Sequence, residues 1–156
     1  MKPVSPLELK IPPPAATLIA GAAMWLVAWT TPRLSSNLPA SAAVALVFAA
    51  AGLSIVMLAV VSFLRARTTV SPVKPESTSA LVTSGLYRYS RNPMYLGLSL
   101  LLLGWGVYLA NVLAFVFLPL FTLYLNRYQI EPEERALANR FGDTYKAYRA
   151  RVRRWL

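Results

Sequence analysis

The chain has 156 residues, 56% of them hydrophobic, a net charge of +10, and neither histidine nor cysteine. The apolar share exceeds the roughly 45–50% of a soluble domain, and the mean hydropathy is +0.49. This composition excludes disulfides, a thiolate nucleophile, a cysteine zinc site and imidazole chemistry, so no metal is expected, and basic residues flanking long apolar runs read as membrane flanks rather than a nucleic-acid surface.

The opening "MKPVSPLELKIPPP" is proline-rich and lacks the short apolar core behind a basic start that marks a signal peptide. It is expected to be a retained interfacial lead-in. Residues 15–31 form an uncharged run at the lower end of what spans a bilayer. "PRLSSNLPA" reads as a turn. Residues 41–64 form a second uncharged run whose "FAAAGLS" core is rich in small residues that permit close helix packing in lipid.

The third apolar stretch, from Met94 to Tyr124, is too long for one straight helix. At 1.5 Å per residue about 31 residues reach roughly 46 Å, against a hydrocarbon core of about 30 Å. Asn111 is the strongly polar residue inside it, so a hairpin is expected there, with spans at 93–109 and 112–128. The charges test this. Four spans place 15 of the 16 basic residues on one side and Arg33 opposite, whereas three spans divide them almost evenly. The positive-inside rule selects four spans, with both termini and the loop from Arg65 to Arg91 cytoplasmic. In the tail, Leu137, Phe141, Tyr145, Tyr148, Val152 and Trp155 recur at helical spacing with basic residues opposite. This predicts a basic amphipathic helix over about 132–154, lying on the membrane surface and bent at Gly142. The fold class is therefore an all-α membrane protein: four transmembrane helices, a cytoplasmic loop and the tail helix in a single domain, 1–156.

Two polar stretches open on the same side. "GLYRYSRNPMYLG" precedes the third span and "EPEE" follows the fourth. The structural reading is sound for both: Asn92 suits a helix N-cap, Pro93 and Pro132 suit first helical positions, the tyrosines suit an interfacial belt, and acids favour the positive end of a helix. Gly104 and Gly106 suit helix packing. Yet four of the six carboxylates fall between Glu131 and Asp143, in an otherwise basic region. Paired acids facing an arginine and tyrosines suit a zwitterionic, cationic small molecule.

"LVTSGLYRYSRNPMYLG", then "LGWG", then "EPEERALANRFGDTYKAYRARV" resemble the isoprenylcysteine carboxyl methyltransferase family and the related phospholipid N-methyltransferases. The likeness covers about residues 81–153, through Gly-x-Tyr, Arg-x-Pro-x-Tyr-x-Gly, Glu-Glu and Phe-Gly-x-x-Tyr-x-x-Tyr in that order. The first two spans match only as hydrophobic segments. It implies an integral membrane enzyme that uses S-adenosylmethionine, yields S-adenosylhomocysteine and faces the cytoplasm. Its acceptor would be apolar or lipid-like, drawn from the bilayer, with no nucleic acid involved. Asn92 stands where the family often has histidine, and Leu86 where proline is common, so no role that needs imidazole carries over.

On this resemblance the cofactor-binding candidates are Tyr87, Arg91, Asn92, Tyr95, Gly97, Gly104, Gly106, Glu133 and Glu134. Arg91 would fork onto the cofactor carboxylate. Glu133 or Glu134 would accept from its ammonium or ribose hydroxyls. Tyr87 and Tyr95 would stack on adenine or face the sulfonium. Gly104 and Gly106 would let the ligand approach closely. Arg149 and Arg151 are the catalytic candidates for orienting a carboxylate acceptor, and Glu134 for serving an amine. Carboxyl methylation of an isoprenylcysteine-like substrate is the leading expectation and phospholipid amine methylation the alternative. A sterol-reductase-type enzyme and a non-enzymatic membrane scaffold are the further readings. The sequence does not specify an oligomeric state.

Overall fold

A computed structural model of the chain describes residues 8–35, 41–66 and 80–156. The lead-in before Glu8, the later part of the "PRLSSNLPA" turn and the loop from Arg67 to Ser79 lie outside the described residues. The elements in order are α1 (Pro13–Thr30), α2 (Ser41–Arg65), α3 (Pro93–Leu109), α4 (Phe117–Leu125) and α5 (Glu131–Arg151). Short 3-10 turns at Pro32–Leu34, Gly85–Arg88 and Val112–Val116 connect them, and a π segment, Asn126–Ile130, joins α4 to α5.

Two of these helices, α1 and α2, are long and apolar enough to cross a membrane. Helix α3 is equally apolar but has 17 residues. The outer faces are greasy: Leu18 is 75% exposed, Trp29 69% and Leu46 69%. No helix interior of a water-soluble fold would leave that much apolar surface uncovered, because each such side chain costs about 1.5–3 kcal/mol in water.

Helix α3 is central. Leu102 and Tyr95 share one buried cluster with Ala16 and Met24 of α1 and with Phe121, Leu125 and Ile130 of the returning chain. Trp105 ties α3 to α1 by donating its indole N–H to the Gly21 carbonyl at 3.0 Å. Helix α2 crosses α3 where two glycines meet. A Cβ on Gly52 would lie 2.6 Å from the Gly97 carbonyl oxygen, and one on Gly97 would lie 2.7 Å from that of Gly52. The backbones touch there, as small-residue packing in lipid allows.

The long apolar stretch is two helices. Helix α3 ends at Ala110 in the left-handed region, φ 47°, and the fully buried Asn111 turns the chain. Its Oδ1 accepts from the Leu113 and Ala114 amides, while its Nδ2 donates to the Thr31 carbonyl at 3.0 Å and to Ser35 Oγ at 3.0 Å. One side chain thus starts the return leg and satisfies the open end of α1. The return leg differs from a plain 112–128 helix, being a 3-10 turn, a nine-residue α4 and the π segment in series. It brings the start of α5 back beside the start of α3.

The tail departs from expectation. Gly142 does bend it, with φ 50° and ψ −121°, a backbone region open to glycine and strained for a residue with a side chain. But two tyrosines of its apolar stripe are covered by protein. Tyr145 and Tyr148 are 2% and 4% exposed, and beyond Arg151 the chain runs back to pair with Ser90–Asn92. The Arg91 amide donates to the Arg153 carbonyl at 2.9 Å. The two tyrosines at helical spacing cover protein here, and the Tyr148 hydroxyl finds a partner that lipid would not offer. Tyr148 donates to the Tyr87 carbonyl at 2.7 Å.

Candidate cofactor site

The approach to α3, the start of α5 and the last residues of the chain meet in one polar cluster. Pro93 occupies the first turn of α3, as expected from its missing N–H. Asn92 stands at the N-cap position but its side chain makes no cap bond. It donates instead to the Arg154 carbonyl at 3.0 Å. That leaves Asn92 holding the tail down rather than serving a ligand directly.

Arg91 and Glu134 pair at 2.9 Å, with side chains 9% and 11% exposed. Arg154 adds a second guanidinium to the same carboxylate, at 2.7 and 3.2 Å. Glu133 points elsewhere, accepting a short hydrogen bond from the Tyr95 hydroxyl. Adjacent helical positions diverge by about 100°, so the two acids take separate partners. Burial pushes the Glu133 carboxyl up to about 8, the Tyr95 bond opposes the rise, and the neighbouring Glu134 charge adds to it. The hydrogen bond to Glu134 pushes Arg154 further up.

Glu133 thereby makes folding pH-dependent. Its carboxyl titrates near 4.5 when free and near 8 in place, so the folded chain holds more protons between those values. Stability is greatest below the lower value and falls as pH rises towards the higher. Thermal midpoints in detergent should therefore fall between about pH 5 and about pH 8. Glu133→Gln, which cannot ionise, should flatten that fall and gain on the parent chain at the alkaline end.

The remaining candidates divide between helix packing and the edge of the cluster. Gly97 is filled by α2, its Cβ direction meeting Gly52 O and Val56. Gly104 faces Ala45 and Phe48 of α2, and Gly106 faces Met24 and Phe115. Eleven and thirteen residues along α3 from Pro93, they lie roughly 16–20 Å from the cluster at 1.5 Å per residue. All three are helix-packing positions, so the close approach they allow is to neighbouring helices. Tyr87 is core, edge-on to Phe63 at 5.3 Å with its carbonyl bonded to Tyr148. Arg149 lines a cleft of about 250 Å³ with Glu131, Glu134, Arg135, Ala138 and Arg154, and its carbonyl accepts a long bond from Arg91 at 3.5 Å. Arg151 is exposed and bonds back to Ala147 of its own helix, outside the cluster.

Arg154 and Ser90 join the cluster without having stood out in the sequence. Ser90 receives the Asn92 amide at 3.1 Å and donates to the Arg154 carbonyl at 3.4 Å. The basic end "RVRRWL" carries a signal only as a charge run, in which no single arginine is distinguished.

A zwitterionic ligand fits the donor set. Arg91 keeps a buried Nε with no partner, an orphan donor of the kind a bound carboxylate satisfies. Glu133 keeps acceptor capacity beyond its bond to Tyr95. The family model for phospholipid methyltransferases matches residues 40–144.

The chain belongs to the phospholipid methyltransferase family.

Among individual relatives, a Haemophilus influenzae protein of uncharacterized function is 48% identical over 63 residues, covering 40% of this chain and the whole of that protein. Protein-S-isoprenylcysteine O-methyltransferase of Schizosaccharomyces pombe is 41% identical over 75 residues, 46% of this chain and 30% of the enzyme. The Mus musculus enzyme of the same name is 37% identical over 75 residues, 48% of this chain and 26% of the enzyme. The chain thus spans less than a third of the named methyltransferases it matches. No solved structure matches it. As a family member the chain has its polar cluster within reach of both matched motifs, Arg91–Gly97 and Glu133–Glu134, which α3 and the return leg bring side by side.

Proposed function

We propose that the protein is an S-adenosylmethionine-dependent methyltransferase acting on a lipid-like acceptor at the cytoplasmic face of a membrane. Four spans carry the site: α1, α2, α3 and the return leg from Val112 through the π segment, with Lys10, Arg65, Arg91 and Arg127 at the cluster end and Arg33 at the other. That distribution suits the positive-inside rule. One observation carries the reading: a buried arginine with an unpartnered Nε stands beside two acids at the mouth of α3, in a chain of the phospholipid methyltransferase family.

When bound, S-adenosylmethionine would supply an electrophilic methyl on its sulfonium. Arg91 would hold the amino-acid carboxylate, and Glu133 would accept from the ammonium or the ribose hydroxyls. Tyr95 orients Glu133 by its hydrogen bond. Asn92, through the Arg154 carbonyl, fixes the tail that walls the cluster. Methyl transfer is a displacement, so alignment is the main task, and holding two reactants in line is worth about 7–11 kcal/mol.

The acceptor is a carboxylate on an apolar, isoprenylcysteine-like substrate. Three arginines line the cleft beside the cluster; Arg135 pairs with Glu8 and Arg154 with Glu134, so Arg149 would be the one to orient an acceptor carboxylate. Such an acceptor is already ionised at neutral pH and needs no base. Glu134, the candidate base for an amine, has its oxygens taken by Arg91 and Arg154. A second reading, methylation of a phospholipid amine, rests on Glu133, whose carboxyl is pushed up to about 8 and so suits a proton acceptor near neutral pH.

Labelled S-adenosylmethionine offered with a prenylcysteine analogue, and separately with phosphatidylethanolamine, decides between them. Label released as methanol by mild base is the expected result. Base-stable label in phospholipid would establish the second reading, and no transfer to either would remove both.

A further inference from the structure

The helix from Phe117 to Glu134 runs without a break, with right-handed dihedrals at both joins, yet its middle turn is π and not α. A π turn closes on i+5 and so holds one more residue than the α turn it replaces. That extra residue rotates every side chain beyond the turn by about 100°.

Among the described residues four ties hold this turn from outside the helix, one of them the ion pair of Arg127 with Glu8 at 3.3 Å. The Leu9 amide donates to the Tyr128 carbonyl at 3.0 Å. Gln129 Nε2 donates to the Ile11 carbonyl at 2.6 Å, and the Trp155 indole donates to Asn126 Oδ1 at 3.2 Å. Gln129 is fully buried and its Oε1 has no partner. A buried amide left half-satisfied is a poor choice for packing alone, where leucine would serve, so the grip on Ile11 is what the glutamine offers.

We infer that the Asn126–Ile130 π segment, clamped by Gln129 to the chain ahead of α1, sets the register that turns Glu133 onto Tyr95 and Glu134 onto Arg91. The inference rests on the reading of those acids as the cofactor site. Wound as an unbroken α-helix of the same residues with α4 held in place, each side chain beyond the turn would take the direction its C-terminal neighbour has now. Pro132 would then face Tyr95, Glu133 would face Arg91, and Glu134 would turn away from both. Tyr95 would lose its carboxylate partner, and one acid in place of two would remain at the cluster.

The chain has no cysteine, so an introduced pair is unambiguous. Two full-length chains, Tyr95→Cys/Glu133→Cys and Tyr95→Cys/Pro132→Cys, are treated in detergent with a short thiol-specific cross-linker, each with and without Gln129→Leu, and the Gln129→Leu chains again with Tyr128 deleted. With Gln129 in place, linking to position 133 should be several-fold faster than to position 132. Gln129→Leu releases the clamp at an unchanged residue count and should move the preference to 132. Deleting Tyr128 in that background removes the extra residue and should return it to 133. A preference that stays with position 133 in Gln129→Leu overturns the inference, as does a Gln129→Leu chain that links neither pair and is not restored at 133 by the deletion. Binding of S-adenosylhomocysteine to the cysteine-free chains separates the two claims. A moved preference with binding lost in Gln129→Leu supports both. A moved preference in a chain whose parent binds no S-adenosylhomocysteine keeps the register and removes the cofactor site.

Discussion

Glu134→Ala is expected to destabilise the protein by about 3 kcal/mol, the low end for removing one partner of a buried ion pair. Glu134 is the only acid bonded to Arg91 and Arg154 among the described contacts. Without it two guanidinium groups face each other across a gap, and Arg91, 9% exposed, already carries an unpartnered Nε. Arg154 is 31% exposed, so water relieves part of its loss, which holds the effect at that low end. For a chain of this size the shift in thermal midpoint in detergent should be about 6–12 °C. Glu134→Gln keeps an acceptor and most of the packing and should lose less. A midpoint within about 2 °C of the parent for Glu134→Ala would mean that the pair is worth no more than a surface bridge.

The crossing of α2 and α3 should be the other sensitive place. Gly52→Ala and Gly97→Ala each insert a methyl into a space where the opposite carbonyl stands 2.6–2.7 Å from the new atom. Backbone cannot rotate away as a side-chain tip can, so the helices must separate. Overpacking of this kind costs about 1–3 kcal/mol for a small group, and Gly97→Leu should prevent α2 from docking at all. Gly21→Ala is the internal control. Its new methyl would sit 3.7 Å from Leu102 and 3.9 Å from Trp105, ordinary contact distances. Replacing a helical glycine by alanine should there gain up to about 1 kcal/mol. Equal midpoints for the alanine variants at 21, 52 and 97 would contradict the close crossing.

Much of the architecture is legible in the residues. Uncharged runs of the right length marked α1 and α2, and one polar residue inside a 31-residue apolar stretch, Asn111, located the turn. Gly142 marked the bend because only glycine takes that conformation without strain. The features that stayed hidden did so for physical reasons. An amphipathic stripe states that one face is apolar, not whether lipid or protein covers it, so the folding back of Tyr145 and Tyr148 was not visible. Arg154 sits among four arginines within six residues, and nothing local distinguishes the one that reaches Glu134. Gly104 and Gly106 have the same small surface whether a helix or a ligand lies against them. The π turn leaves no mark in composition, since one added residue alters direction and not hydropathy.

Calorimetric titration of S-adenosylhomocysteine into the full chain in detergent tests the cofactor site most directly. Saturable binding is expected, weakened by about 1.5–3 kcal/mol, roughly 10- to 150-fold, in Arg91→Ala and in Glu133→Ala, the range for hydrogen bonds to charged groups. Arg33→Ala, at the opposite end of the bundle, should bind as the parent does. No binding by the parent chain, or parental affinity in both Arg91→Ala and Glu133→Ala with the fold retained, would contradict the assignment.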